Sequence, residues 1–300
     1  MSTTMRIFGK SPVGAYLRLN EWIWRRLPEP AAAPRPVVAY GRLMHALVRS
    51  HGDRRQFLGT FFLRNRPQLE LISRLAHLTA KRRAPRLAVI GCSIGAEVYS
   101  ILWSIRSRYP DVRVITTAVD ISEDVIAVAR EGVYSPGVSD LVQEPICERM
   151  TDDELGGMFD REGSLLRVKP RMQEDIAWHV ADARDPKIVE VLGRQDIVVA
   201  NDFLCHMEPA EAEGCFRNIA RLVAPGGFLV ASGIDLDVRS KVAQSLSWKP
   251  VTAGIEDIHN GDRSLRLSWP WRYWGLEPFD KTRGDYEMRY ASTFQLGETP

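Results

Sequence analysis

The sequence predicts an α/β fold built on a doubly wound, mostly parallel sheet. Four short apolar runs, RLAVI (86–90), VRVITTAVD (112–120), DIVVANDFL (196–204) and GGFLVASGI (226–234), are each of strand length and apolar enough to be covered on both faces. Helical spacing fills the intervals at 95–107, 122–131 and 209–223. Strand, helix and strand joined by short links imply right-handed crossovers, with helices on both sides of the sheet. A glycine turn, Gly91 to Gly95, follows the first run and opens the first helix, as such a fold requires at a ligand-facing end.

The elements follow in order. Residues 28–36 (PEPAAAPRP) carry four prolines, which fix φ and lack an amide donor, so they read as a linker. Val38 to Ser50 and Phe57 to Thr79 place Leu43, Leu47, Leu69, Ile72, Leu75 and Leu78 at helical spacing, broken by the turn-prone His51-Gly52-Asp53. Residues 1–80 are therefore a helical, basic region and 81–300 the α/β domain. Residues 133–178 are turn-rich, with a short helix at Asp152 to Phe159 and a strand at LLRVK, and read as a small insertion. After a helix from Leu236 to Leu246, the stretches KPVTAGIEDI and YASTFQL offer a terminal strand pair within the C-terminal tail, 248–300.

Composition limits the function. In 300 residues, 45% hydrophobic, a buried core is assured and intrinsic disorder is excluded. The net charge of +2 gives the whole chain no field to attract nucleic acid or membrane. It hides a split: residues 1–90 hold 17 basic and 4 acidic residues, against 23 and 34 in the remainder. We expect the two parts to complement each other within the subunit or a homo-oligomer rather than to bind RNA. Four scattered cysteines form no C-x-x-C pair, which argues against a disulfide framework or a thiolate zinc site. With neither a signal-peptide apolar stretch nor an 18-residue apolar run, the chain reads as soluble and cytoplasmic, with no metal.

At the glycine turn, Ser93 and Ala96 stand where a dinucleotide fingerprint needs glycine, and no Gly-Lys-Ser/Thr of a P-loop occurs, so phosphate-bearing cofactors are disfavoured. Asp120 ends the second strand, where a carboxylate can accept both hydroxyls of an adenosine ribose. A nucleoside cofactor without phosphates satisfies both observations, and S-adenosyl-L-methionine is the common one. The same turn matches G-x-S-x-G, with Asp235 and His259 in the order of a hydrolase triad; an esterase using Ser93 is a remote alternative, because the turn follows the first strand and no oxyanion loop precedes it. A cofactor-binding regulator without catalysis is another.

Several ordered motifs resemble the CheR family of chemoreceptor glutamate methyltransferases. Ser93-Ile-Gly-Ala-Glu-Val-Tyr-Ser100 is similar to the family's S-T-G-E-E-P-Y-S, and Asp120-Ile121, with the helix ending in Ala-Arg-Glu-Gly-Val-Tyr134, is similar to its D-I-D and A-R-x-G-x-Y. Thr60-Phe61-Phe62-Leu63-Arg64 resembles the T-x-F-x-R that directs an arginine into the cofactor site. The resemblance, over about residues 40–235, implies a Rossmann-like class I methyltransferase. Its cofactor residues would be Thr60, Arg64, Gly91, Ser93, Gly95, Glu97, Asp120, Ile121, Asp182, Ala183 and Asn201.

The acceptor side departs from the pattern. Where the family has C-R-N-V-x-I-Y-F, this chain has Ala200-Asn201-Asp202-Phe203-Leu204-Cys205-His206-Met207. His206 is a candidate base, against the plainer reading of a histidine at a helix start; Asp202 can bind a cationic acceptor or cap the following helix. The absence of the Pro-Pro-aromatic sequence after this strand counts against base-methylating enzymes. Trp269, Trp271, Tyr273 and Trp274 are candidate acceptor contacts as a cation-attracting cluster, although such clusters more often form core or interface. The expected function is methyl transfer to a small polar metabolite, such as an amino acid or a related compound, with a CheR-like protein carboxylate methyltransferase as the alternative.

Overall fold

A computed structural model of the chain describes residues 12–24, 26–27, 34–51, 60–137, 145–262 and 275–297. The helices α1 (Pro12–Trp24), α2 (Arg35–His51) and α3 (Arg66–Ala80) precede β1 (Arg86–Ile90), α4 (Ala96–Arg108), β2 (Ile115–Asp120) and α5 (Glu123–Glu131). Then come β3 (Val133–Tyr134), α6 (Asp152–Met158), β4 (Phe159–Glu162), β5 (Leu165–Val168), α7 (Pro170–Gln173) and β6 (Ile176–Val180). The second half holds α8 (Ile188–Leu192), β7 (Gln195–Val199), a 3-10 turn (Leu204–His206), α9 (Pro209–Ala220), β8 (Val223–Val230) and α10 (Leu236–Ser245). It closes with β9 (Lys249–Pro250), α11 (Ile255–His259), α12 (Tyr286–Tyr290) and β10 (Thr293–Gln295).

Seven described strands form the main sheet in the order β6-β2-β1-β7-β8-β10-β9. Pairings from β6 to β8 are parallel, and β10 runs antiparallel to both neighbours. The doubly wound, mostly parallel class expected from the apolar runs is what the chain adopts. From β1 the chain winds outward through β2 and β6, then returns to start β7 on the other side of β1. That reversal splays the connections apart at the carboxyl ends of β1 and β7 and opens the crevice in which such sheets bind ligands.

Local chemistry explains the boundaries. Both central strands bury nearly every residue, consistent with helices on both faces. The Asn65 side chain caps α3 by accepting from the Gln68 amide, and Pro67 occupies its first turn, where no amide donor is needed. The structure therefore starts this helix at Arg66 and leaves Thr60–Asn65 as bends, whereas periodicity alone extends it back to residue 57. A capping box of Thr151 and Glu154 starts α6 where the sequence indicates.

Two further expectations need correction. The insertion does not run to residue 178, because Ile176–Val180 forms the edge strand β6 of the main sheet. Its alternating, partly exposed side chains are what an edge position allows, and they lack the apolar run that marks the central strands. Only Lys249–Pro250 of KPVTAGIEDI is strand; Ile255–His259 turns helical after Gly254, whose φ of 68° ends the extended path. YASTFQL does supply β10, inserted between β8 and β9, so the end of the chain is structural and a deletion of residues 265–300 would test folding. Trp269, Trp271, Tyr273 and Trp274 lie outside the described residues.

Residues 60–80 share one core with the sheet: Phe62, Leu69, Ile72 and Leu75 pack with Leu87, Val89, Tyr99 and Leu102. Charge complementarity across the chain takes the form of ion pairs, Arg64 with Asp202 and Asp262, Arg66 with Glu154, Arg83 with Asp196, and Arg42 with Asp237. Among the described residues, no helix is long and apolar enough to cross a membrane.

Candidate functional site

A cavity of about 420 Å³ opens at the carboxyl ends of β1, β2, β7 and β8, where the topology reverses. Its floor is the turn after β1. Gly91 takes φ of 72° there, and a Cβ would stand 2.7 Å from Cδ1 of Phe203, so only glycine permits the approach. Gly95 (φ 87°) starts α4 and would press a Cβ against Ala129 and Trp178. Between them Ser93 holds φ of 48°, an unfavourable conformation for a non-glycine residue, and the Asp120 carboxylate accepts its amide at 2.8 Å. The other carboxylate oxygen of Asp120 accepts from the Ser122 amide at 3.2 Å, which fixes the group at the cavity edge.

A buried polar network forms the wall. The Asn201 amide donates to Gln68 at 2.9 Å and to Glu97 at 2.6 Å, while its carbonyl oxygen accepts from the Ser232 amide and hydroxyl, both at 2.8 Å. Gln68 donates onward to the Ser292 hydroxyl at 3.3 Å, tying α3, α4, β7 and the start of β10 to one hub. Burial pushes the Glu97 carboxyl up to about 7; the Asn201 hydrogen bond and Arg64 pull it down, and Asp202 pushes it further up. A carboxyl held in this way is ready to ionise against a cationic group placed in the cavity.

The far end is charged. Arg64 donates through Nε to Asp262 at 2.7 Å, and its Nη1 stands 3.1 Å from Asp202. Burial raises the Asp202 carboxyl above the ordinary range, against the lowering by Arg64, and Asp262 adds to the rise. Asp202 has φ of 63°, and Gly233 lies directly against it. His206 closes the 3-10 turn beside it, while His259 hydrogen-bonds the Glu277 carbonyl at 2.7 Å and stacks edge-on to Tyr290.

Of the predicted residues, Thr60, Arg64, Gly91, Ser93, Glu97, Asp120, Ile121, Asp182, Ala183, Asn201, Asp202 and His206 all line this cavity. Gly95 does not; it shapes the turn by starting α4. Asp235 caps α10 by accepting from Asp237, a helix-terminus role that takes it out of the hydrolase reading. Sequence reasoning missed Gln68, Ser232, Asp262, Tyr290 and Ser292, and singled out His259 only as a triad member of the hydrolase alternative. Gln68 alone carried a signal, a polar residue beside the apolar positions of α3. Ser232 follows β8 at the carboxyl end of the sheet, and Asp262, Tyr290 and Ser292 are brought in by the tertiary path of the C-terminal segment.

The cavity's chemistry, a carboxylate at the second strand end, a glycine turn without phosphate-binding spacing and a buried acid awaiting a cation, fits a sulfonium nucleoside. The family model for the CheR methyltransferase, SAM binding domain, matches residues 59–236. The chain belongs to the CheR methyltransferase family. It is an S-adenosylmethionine-dependent methyltransferase, and the esterase and non-catalytic readings fall away. A comparison with curated protein sequences finds no match. Solved structures similar to this family member include the N-methyltransferase NodS from Bradyrhizobium japonicum WM9 in complex with S-adenosyl-L-homocysteine, at 17% identity over 62% of this chain and 76% of that one, TM-score 0.37. An O-methyltransferase family protein from Burkholderia thailandensis is similar at 15% identity over 96% of this chain and 72% of that one, TM-score 0.38.

Asp120→Ala is expected to weaken S-adenosylhomocysteine binding by about 1 to 3 kcal/mol, the worth of two hydrogen bonds to an ionised group. Titration calorimetry on the folded variant measures it, and unchanged affinity would place the ribose elsewhere.

Proposed function

We propose that this methyltransferase acts on a small polar metabolite, such as an amino acid or related compound. The observation that carries the reading is the cavity wall. Ile258, His259, Asp262, Gly275, Leu276, Tyr290 and Ser292, all beyond the family-matched stretch, line the same cavity as the cofactor motifs. A wall of this kind narrows the space in which a protein helix would have to present its glutamate.

S-adenosylmethionine, when bound, supplies an electrophilic methyl group that an acceptor lone pair attacks in line with the departing sulfur. The chain's task is to hold the two in that geometry and keep water out. In our reading Asp120 receives the ribose, with Gly91 and Ser93 beneath it; Asp182 and Ala183 border the adenine; Glu97, Arg64 and Asn201 hold the amino-acid end. Asp202 and His206 border the acceptor. His206, on a short turn at the rim, is placed to take a proton from an acceptor that loses one.

The test is transfer of radiolabelled methyl from S-adenosylmethionine into a cell extract fractionated by size. Label in the fraction below about 1 kDa supports the metabolite reading. Base-labile label on protein, lost from an Arg64→Lys variant, would favour the carboxylate methyltransferase alternative, which the family membership keeps open. His206→Ala is expected to slow turnover about a hundredfold or more, the low end of a general-base contribution, while S-adenosylhomocysteine affinity changes less than about threefold. An equal fall in both would make His206 a cofactor contact.

A further inference from the structure

Arg64 is held by two carboxylates, Asp262 at Nε at 2.7 Å and Asp202, which lines the cavity, 3.1 Å from Nη1. The contact at Nε is made by Asp262, which lies past α11 and is buried, with its other oxygen accepting from Arg149 Nη2 at 3.1 Å. Arg149 in turn stacks on the Phe61 ring at 3.8 Å, and the Arg64 guanidinium lies over that ring at 5.3 Å. The segment is docked independently of these charges. Asn65 Nδ2 donates to the Ile258 carbonyl at 2.9 Å, and Gly261 passes so near Asn65 that a Cβ would stand 2.2 Å from its Oδ1. Asp262 therefore reaches the motif arginine from outside the family-matched residues 59–236 on a segment held by other bonds.

We propose that Asp262 is a positioning residue that aims Arg64 at the cofactor, so that the cofactor affinity of this protein depends on a segment that the family domain does not include. The physical reason is the shape of guanidinium. A carboxylate on Nε fixes the plane of the fork and the direction of its terminal nitrogens, which an arginine free to rotate would have to order on each binding event. Asp262 also accepts from Arg149 at 3.1 Å, so that one carboxylate sets the spacing of two cations. The inference rests on our placement of Arg64 at the cofactor, and the experiment separates the two.

S-adenosylhomocysteine affinity of the full chain is measured by calorimetry for wild type, Asp262→Asn, Arg64→Lys and the double variant, with thermal melting to establish the folded fraction. Lysine keeps the positive charge but has no Nε–H for Asp262 to orient. Asp262→Asn is expected to weaken binding about tenfold in the wild-type background and less than twofold in the Arg64→Lys background. Asp262→Glu, which restores a carboxylate, is expected to recover more affinity than Asp262→Asn. If Arg64→Lys leaves affinity unchanged, the placement of Arg64 at the cofactor is wrong and the inference falls with it. If Arg64→Lys weakens binding but Asp262→Asn does not, or if Asp262→Asn costs the same in both backgrounds, Arg64 is a cofactor contact and Asp262 is not what aims it.

Discussion

Arg64→Ala is expected to destabilise the fold by about 3 to 5 kcal/mol, because it leaves the Asp202 carboxylate without its cation and takes one of two cations from Asp262. Asp262 is almost wholly buried and Asp202 is three-quarters so, with side-chain exposures of 7% and 25%. Asp262 cannot be rehydrated without opening the contact between α11 and the Phe61–Asn65 bend. Arg149 remains on Asp262, so the loss falls mainly at Asp202. In a chain of this size the melting temperature should drop by roughly 5 to 10 °C at pH 7. Lowering the pH to 5 should recover part of the loss, because the Asp202 carboxyl already titrates above its ordinary range and is the easier of the two to neutralise. A variant that melts within 2 °C of wild type at both pH values would mean that water or a rearranged side chain satisfies both acids.

The second large effect is a pH dependence set by Glu97. Its folded value is raised from 4.5 to about 7, with burial the largest cause, so between those values the folded chain holds a proton that the unfolded chain has released. Stability from this group is therefore complete below about pH 4.5 and is lost as pH rises through 7, an effect on the order of 3 kcal/mol. Glu97→Gln keeps an oxygen to accept the Asn201 amide but cannot ionise. It should match wild type near pH 5 and melt higher than wild type near pH 8 when no ligand is bound. An ammonium group seated against Glu97 reverses the preference, since it favours the carboxylate. Wild-type affinity for S-adenosylhomocysteine should then rise with pH up to about 7, with up to one proton released on binding at pH 6, as read from calorimetry in buffers of different ionisation enthalpy. Glu97→Gln should bind more weakly and release none. A wild-type affinity that is flat from pH 5.5 to 8 would remove Glu97 from the cofactor's amino end.

Much of this was legible in the chain itself. Apolar runs at 86–90, 112–120, 196–204 and 226–234 have no stable placement except a sheet covered on both faces, and the helices between them force parallel order. The Gly91–Gly95 turn and Asp120 mark the ligand end, because a backbone turn with positive φ and a carboxylate at a strand terminus are local features, set by residues close in sequence. The order of short motifs carried the family, and with it Arg64 and Glu97.

What the tertiary structure decided depends on residues distant in sequence. Edge strand β6 is amphipathic, and only its pairing with β2 distinguishes it from the insertion before it. Asp262 meets Arg64 across 198 positions, and Gln68 meets Asn201 across 133. No periodicity or spacing encodes such contacts, because they arise from where the crossovers and the C-terminal segment deliver their ends. The sequence thus determined the sheet, its ligand-facing end and the class of cofactor. The charge state of the cavity was decided only when folding buried Glu97, Asp202 and Asp262 beside Arg64, because desolvation and ion pairing have no meaning until the chain has closed around them.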